Sequence, residues 1–410
     1  MTDQTDNRKN AGEPSEQLSA ADRISQKLRR RKRQNKVRSV VKKSVAVAAL
    51  AAVVILGAVC IYRYWDVFKP ESFQKAVTVR DNSKSLMKIG GAMDIVTGNT
   101  AQYVPFASGL AVVTTTSVRY ATEDGAEGFM EEVALNKPAV AVAENSFAVY
   151  DRGGKTVVSA GPSGILAEGE TLGTTIGLSV NRDGVIAAVT ECEGYKCAVT
   201  VYDKYLNRIY TWKTPEYFAS AGIVSADGRR LAVAAVYTKA SKLCSAVLLF
   251  DLQKEGVAAV VELGGSPVVA LRENAGGFLI VTDADAVSAA WDGTILSRVS
   301  FQGEKVAGLA ADGDGMYILL DVTSDVTAKY RLIRIGGDGA KTAEVALKCD
   351  IQAMTANNGM IAILTGNQIR LYDSALAIKK YISPEPGVTN IVMMKNNKLV
   401  MITAQEIFIA

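Results

Sequence analysis

The side chains in this sequence with chemistry to offer are carboxylates and thiols. Its 410 residues include 42 Asp and Glu, five Cys and no His. The missing imidazole excludes Ser-His-Asp and Cys-His nucleophilic mechanisms, a His-ligated metal and a CxxCH haem attachment. Paired-carboxylate work such as glycoside hydrolysis survives that filter, because it needs no imidazole. No spacing selects a pair among the acidic residues, so no catalytic residue is nominated. Cys192 and Cys197 flank Glu193-Gly194-Tyr195-Lys196. Facing each other across such a hairpin, they are a candidate disulfide in an oxidising compartment. Cys244 and Cys349 read as small core residues, and Cys60 falls in an apolar run. An odd, small cysteine count argues against a disulfide framework.

Short matches to phosphate and metal motifs fail on their own residues. Gly153-Gly154-Lys155-Thr156 ends like a phosphate-binding loop, but Val149 stands where the motif needs its first Gly. Gly339-Ala340-Lys341-Thr342 lacks the Gly before Lys. The stretch from Asp283 to Asp292 lacks the alternating oxygen ligands and closing Glu of a calcium loop. No metal and no cofactor are therefore expected.

The elements that would position any site begin after an unusual leader. Residues 1–43 hold 13 Lys/Arg against 5 Asp/Glu, which leaves the rest of the chain slightly acidic despite the overall charge of +4. The first 22 residues are polar and poor in aromatics, the composition of a disordered tail. From Arg23 to Lys43 there are eleven basic residues and no acidic one. Residues 44–62 then run without a charge, SVAVAALAAVVILGAVCIY. Nineteen helical residues span roughly 29 Å, close to a bilayer's hydrocarbon core. Tyr62, Tyr64 and Trp65 supply an interfacial belt, and the basic run puts the N-terminus in the cytoplasm by the positive-inside rule. Beside a span, that run serves topology and anionic lipid rather than nucleic acid. The apolar stretch is long for a signal peptide, and Gly57-Ala58-Val59-Cys60 is not a lipobox, so an uncleaved anchor is expected. Residues 63–85 read as a polar stalk and residues 86–410 as an extracytoplasmic domain.

That domain reads as all-β. Strand-length apolar runs such as those from Leu231, Phe278, Tyr317 and Leu399 alternate with turn signals. The turns include Asp183-Gly184, Asp227-Gly228, Gly276-Gly277, Asp312-Gly313, Asn358-Gly359 and Asn396-Asn397. An aromatic residue followed by Asp recurs at Tyr150, Tyr202, Phe250, Trp291 and Tyr372, with intervals of 52, 48, 41 and 81. The last interval is a double one, so the period is about 44 residues, the length of a four-stranded propeller blade. Each pair is expected to close a blade's third strand, the ring packing between blades and the Asp starting the turn. Units beginning near Tyr103, Pro138, Gly177, Ala221, Val268, Ala307, Gln352 and Asn390 give eight blades, with seven as the alternative. The last unit supplies three strands, and Leu86–Gly98 is the expected fourth, which closes the ring and removes free sheet edges.

The aromatic-Asp pairs and the period resemble the WD40-like and quinoprotein-like propellers. With the basic tail, the single span and the run YDRGGK from Tyr150 to Lys155, the chain resembles an uncharacterised family of bacterial membrane-anchored propeller proteins. The resemblance implies a topology and a fold but no activity. The three tryptophans, Trp65, Trp212 and Trp291, do not form the docking repeat of quinoprotein dehydrogenases, so no quinone cofactor is implied. The functional expectation is a non-enzymatic interaction or scaffold module at the cell envelope, with a protein, peptide or glycan partner and no nucleic acid. The alternative is a carboxylate-dependent glycan hydrolase or lyase. Signalling into the tail would need a partner, because the tail carries no domain of its own.

Overall fold

The computed structural model describes residues 101–313, 315–322, 328–404 and 406–409. These residues form eight antiparallel sheets in chain order, each a simple meander. Blade 1 is β1 (Gln102–Phe106), β2 (Gly109–Val113), β3 (Ser117–Ala121) and β4 (Glu127–Glu132). Blade 2 is β5 (Pro138–Val142), β6 (Phe147–Asp151), β7 (Thr156–Gly161) and β8 (Gly164–Glu170). Blade 3 is β9 (Thr175–Val180), β10 (Ile186–Cys192), β11 (Tyr195–Tyr202) and β12 (Arg208–Thr214). Blade 4 is β13 (Phe218–Val224), β14 (Arg230–Lys239), β15 (Lys242–Asp251) and β16 (Ala259–Gly264). Blade 5 is β17 (Val268–Asn274), β18 (Gly277–Thr282), β19 (Asp285–Ala289) and β20 (Ile295–Ser300). Blade 6 is β21 (Lys305–Asp312), β22 (Gly315–Asp321), β23 (Tyr330–Ile335) and β24 (Lys341–Leu347). Blade 7 is β25 (Ile351–Asn357), β26 (Met360–Thr365), β27 (Ile369–Tyr372) and β28 (Ile378–Ile382). Blade 8 shows three strands among the described residues, β29 (Val388–Met393), β30 (Leu399–Thr403) and β31 (Ile407–Ile409).

This is an eight-bladed β-propeller, and the eight expected blade starts each fall within three residues of an observed first strand. Second strands are apolar on both pleat faces because each blade is sandwiched between two others; β18, for example, is buried throughout. Outer strands such as β4 and β28 face water and are charged. The core is divided at the junctions. Eight hydrophobic clusters each straddle two neighbouring blades, and together they account for every junction in the ring. The closing junction joins Tyr103, Leu110 and Val112 of blade 1 to Val392, Val400, Ile402 and Ile409 of blade 8.

All six turn signals join first to second strands, where Gly184, Gly228 and Asn397 take positive φ. Four of the five aromatic-Asp pairs follow expectation. Asp203, Asp251, Asp292 and Asp373 each accept a hydrogen bond from the main-chain N–H two residues on. Tyr202, Phe250, Trp291 and Tyr372 pack into junction clusters. The first pair is a correction: Tyr150-Asp151 closes β6, a second strand, not a third. Its Asp serves a crossover instead of a turn, accepting from Asn136 and Lys137.

The tail, the apolar run at 44–62, the stalk and the expected closing strand Leu86–Gly98 lie outside the described residues. Among the described residues no helix is long and apolar enough to cross a membrane.

Candidate functional site: an aromatic ledge between blades 3 and 4

Second-to-third-strand turns and interblade crossovers share one face of the propeller. On that face the β14–β15 hairpin is the longest, ten residues in each strand. The run LAVAAVYTK keeps strand-forming Val and Tyr past the point where other blades turn. Ala240 and Ser241 turn the hairpin with φ of 48° and 62°. Both lie in the left-handed region that a two-residue hairpin of this hand requires, and neither is glycine.

The hairpin walls a floor built from the blade 3 to blade 4 crossover. Thr214 Oγ1 accepts hydrogen bonds from the N–H groups of Glu216 (3.1 Å) and Tyr217 (3.3 Å), which bends the chain at Pro215. The buried Cys197 thiol pins the same segment, donating to Tyr217 O at 3.4 Å and accepting from Ala219 N at 3.3 Å. Burial pushes this thiol's pKa up. Tyr217 thus stands between Trp212 (6.2 Å between ring centroids) and Tyr237 (5.3 Å). Tyr237 donates its phenol proton to Glu262 at 2.5 Å, and that carboxylate holds the phenol well above its ordinary range.

Two further rings are open to solvent. Phe218 is 51% exposed and Tyr195 46%. Each carries a lysine ammonium over its face, Lys196 Nζ at 4.7 Å from Phe218 and Lys213 Nζ at 5.7 Å from Tyr195. Lys196 also donates to Glu216 O at 2.9 Å. Such cation–π contacts contribute on the order of 0.5–1 kcal/mol at exposed positions, enough to bias the side chains without locking them.

Cys192 and Cys197, the candidate disulfide, are both free thiols here. Cys192 registers opposite Tyr195, with a bulge between it and Thr190. Cys197 belongs to the cluster facing blade 4 with Val199 and Val201. The pleat therefore turns the two side chains to opposite faces of the hairpin. Among the described residues no three Cys, Asp or Glu side chains converge in a way that could hold a metal ion.

The ledge escaped the sequence reading because its rings, Trp212 on β12, Tyr217 in the crossover, Phe218 on β13 and Tyr237 on β14, come from three strands and a crossover, with no shared period. Its faint signals were the Tyr217-Phe218 pair just before a first strand and the length of the β14–β15 run.

Residues 81–266 match the profile of a family of unknown function, DUF5711. No curated protein matches the chain. Among solved structures, the chain is similar to the C-terminal WD40 domain of Sif2, with TM-score 0.53, 10% identity, 82% of this chain and 96% of that one. It is also similar to the Dos1 propeller, with TM-score 0.52, 9% identity, 76% of this chain and 92% of that one. BamB from Moraxella catarrhalis follows with TM-score 0.48, 11% identity, 80% of this chain and 96% of that one. For the Sif2 and Dos1 propellers, at these identities, the likeness is one of fold.

Proposed function

We propose that this chain is a membrane-anchored, extracytoplasmic propeller that works as a non-enzymatic interaction module at the cell envelope. The ledge between blades 3 and 4 is its docking surface. The observation that carries this reading is the half-exposed ring of Phe218, which registers opposite Val236 of the overlong β14–β15 hairpin. A half-exposed ring beside a projecting hairpin offers apolar area that a partner can cover. Aromatic side chains are also the residues on which binding energy concentrates. The fold is in keeping with this role, since a propeller presents loop-rich faces on a rigid ring. Support for the anchor comes from the charge-free run at 44–62 behind eleven basic residues.

The test is in-cell crosslinking of the full-length protein with a photoreactive residue at Leu243, on the hairpin and 48% exposed. An adduct at Leu243 that is absent from Tyr381 on blade 7 supports the ledge as the docking surface. Equal adducts at both positions, or none, count against it. Cysteine-accessibility labelling on intact cells tests topology separately: reaction at the exposed Ser241→Cys with an impermeant reagent is expected, and protection would reverse the orientation.

A further inference from the structure

We propose that the outer groove between blades 2 and 3 binds a phosphate ester, its phosphate held by Arg208, Thr211 and Lys213. The site is separate from the ledge, on the opposite face of blade 3. The register of β11 and β12 puts the three side chains on one face. Arg208 pairs with Tyr202, Thr211 with Thr200 and Lys213 with Ala198, and Ile209 is the extra residue of a bulge. Tyr202 packs in the junction with blade 2, and its charged neighbour Arg208 is felt at its hydroxyl. The intervening Val199 and Val201 face blade 4. Thr211 and Lys213 therefore stand ~7 Å apart along the strand, both turned to blade 2. A depression of about 500 Å³ opens along them, lined by Arg208, Ile209, Tyr210, Thr211 and Lys213. Trp212, which packs toward blade 4, does not line it.

The donors in this groove are uncommitted. Arg208 and Lys213 form no ion pair among the described residues, unlike Arg298, Arg331 and Arg334, which meet Asp285, Glu304 and Asp312. Lys213 Nζ rests over the Tyr195 ring at 5.7 Å instead. Thr211 Oγ1 is buried with no hydrogen-bond partner. So is the hydroxyl of Thr190, wholly buried on β10, which registers through Ala198 with Lys213 on the same face. A buried hydroxyl without a partner is costly unless something completes it.

The carboxylates nearby are turned away or occupied. On the facing outer strand β8, Ala167 and Gly169 register with Ser159 and Val157 and look toward blade 3, whereas Glu168 registers with Val158 and looks toward blade 1. Asp203 is held in its own turn by Asn207 and main-chain N–H groups. Glu255 acts on Tyr210, whose ring packs toward blade 4. Glu191 and Glu193 lie at the β10–β11 hairpin end beyond the Lys213 rung and pair with neither cation. The groove is thus a local positive spot on a slightly acidic domain.

The donor set suits phosphate better than carboxylate. One guanidinium satisfies a carboxylate by itself, whereas phosphate has oxygens for a guanidinium, an ammonium and a hydroxyl arriving from different directions. Ile209, half-exposed within the depression, offers apolar surface beside the charges, which favours an ester over the free ion.

The test is phosphorus NMR of glycerol 3-phosphate titrated with the detergent-solubilised full chain near neutral pH. Line broadening is expected, reversed by sulfate but not by acetate at the same concentration. Arg208→Gln and Lys213→Gln should each weaken binding about tenfold and Thr211→Val about threefold, while Lys254→Gln on blade 4 leaves it unchanged. Unchanged melting curves without ligand should confirm that the variants fold. Inorganic phosphate, the second probe, should bind more weakly, and equal binding would overturn the claim for an ester. Phosphatidylglycerol doped into the micelles separates the sources: displacement of glycerol 3-phosphate assigns the site to a lipid headgroup, and no displacement assigns it to a water-soluble ester. The proposal is overturned if neither probe broadens, if the Arg208 and Lys213 variants bind as well as the parent, or if acetate competes as well as sulfate.

Discussion

The carboxylate of Asp151 accepts a hydrogen bond from the main-chain N–H of Lys137 at 2.6 Å. It also accepts from the N–H of Asn136 at 3.2 Å and from that residue's side-chain amide at 2.9 Å. Asp151 is buried, and the chain it holds is the crossover from blade 1 to blade 2. Two residues on, Gly153 N–H donates to Thr175 O, and Thr175 N–H donates to Gly154 O. The run YDRGGK therefore stitches three blades, with its Asp turned to the crossover and its glycines against blade 3. A side chain at Gly154 would collide with the Asp151 carboxylate, its Cβ falling 2.5 Å from Oδ2. Asp151→Ala leaves three donors without an acceptor and should cost about 2–4 kcal/mol. Urea denaturation followed by circular dichroism should show a lower midpoint. An unchanged midpoint would mean that water replaces the carboxylate at no cost.

Ring closure should depend on apolar contact far more than on charge. Ile402 is buried in the junction between blades 8 and 1, whereas Glu123 meets Asn396 and Lys398 at the surface of the same junction. Ile402→Ala should cost about 2–4 kcal/mol. Glu123→Ala should cost less than about 1 kcal/mol, because exposed polar contacts exchange readily with water. Comparable losses by the same denaturation measurement would place the closure in the polar contacts instead.

Much of this architecture was legible in the residues. Blade starts, turn glycines and four of the aromatic-Asp pairs follow from local chemistry that repeats. Asp203 and Asp373 accept two main-chain bonds apiece within their own turns, and a local signal of that kind survives in sequence. Asp151 has the same preceding aromatic but bonds backward by fourteen and fifteen residues, so nothing local separates it from the others. The ledge is harder still. Lys196 and Phe218 meet only because blades 3 and 4 abut at one crossover, a relationship that no period announces.

Buried tyrosines should set the alkaline limit of stability. The Tyr317 hydroxyl is fully buried with no hydrogen-bond partner, and burial, with Asp312 adding, pushes its pKa up to about 12. Burial also raises the pKa of Tyr150 and Tyr202. An unfolded tyrosine ionises near 10. Above that pH the unfolded chain loses protons that the folded one retains, so the stability is full below about pH 10 and is lost as pH rises through about 12. Tyr317→Phe should remove part of that slope and raise neutral-pH stability by about 1 kcal/mol, since it deletes an unpaired buried hydroxyl. Melting temperatures of both forms from pH 8 to 12 check this. Parallel curves would show that Tyr317 is not involved.

The thiols should separate by rate. Cys197 is buried, bonded on both sides and less acidic than a free thiol, whereas Cys192 and Cys244 are partly exposed. Reaction follows the thiolate fraction and access. Timed alkylation of the native protein at pH 8, read by peptide mass spectrometry, should label Cys192 and Cys244 at least tenfold faster than Cys197. Equal rates would mean that the crossover opens freely and that the ledge floor is mobile.

Because every hydrophobic cluster is shared by two blades, none of the blades owns a finished core. The face that Tyr103, Leu110 and Val112 present must wait for Ile402 and Ile409, roughly three hundred positions downstream in the order of synthesis. Until then the nascent chain carries a sticky face at its leading end and another at its growing end, each able to capture a stranger's blade. A cell making this protein must therefore shield an unfinished ring for most of its translation, and a chain cut short anywhere before blade 8 is marked for disposal by the surface it leaves bare.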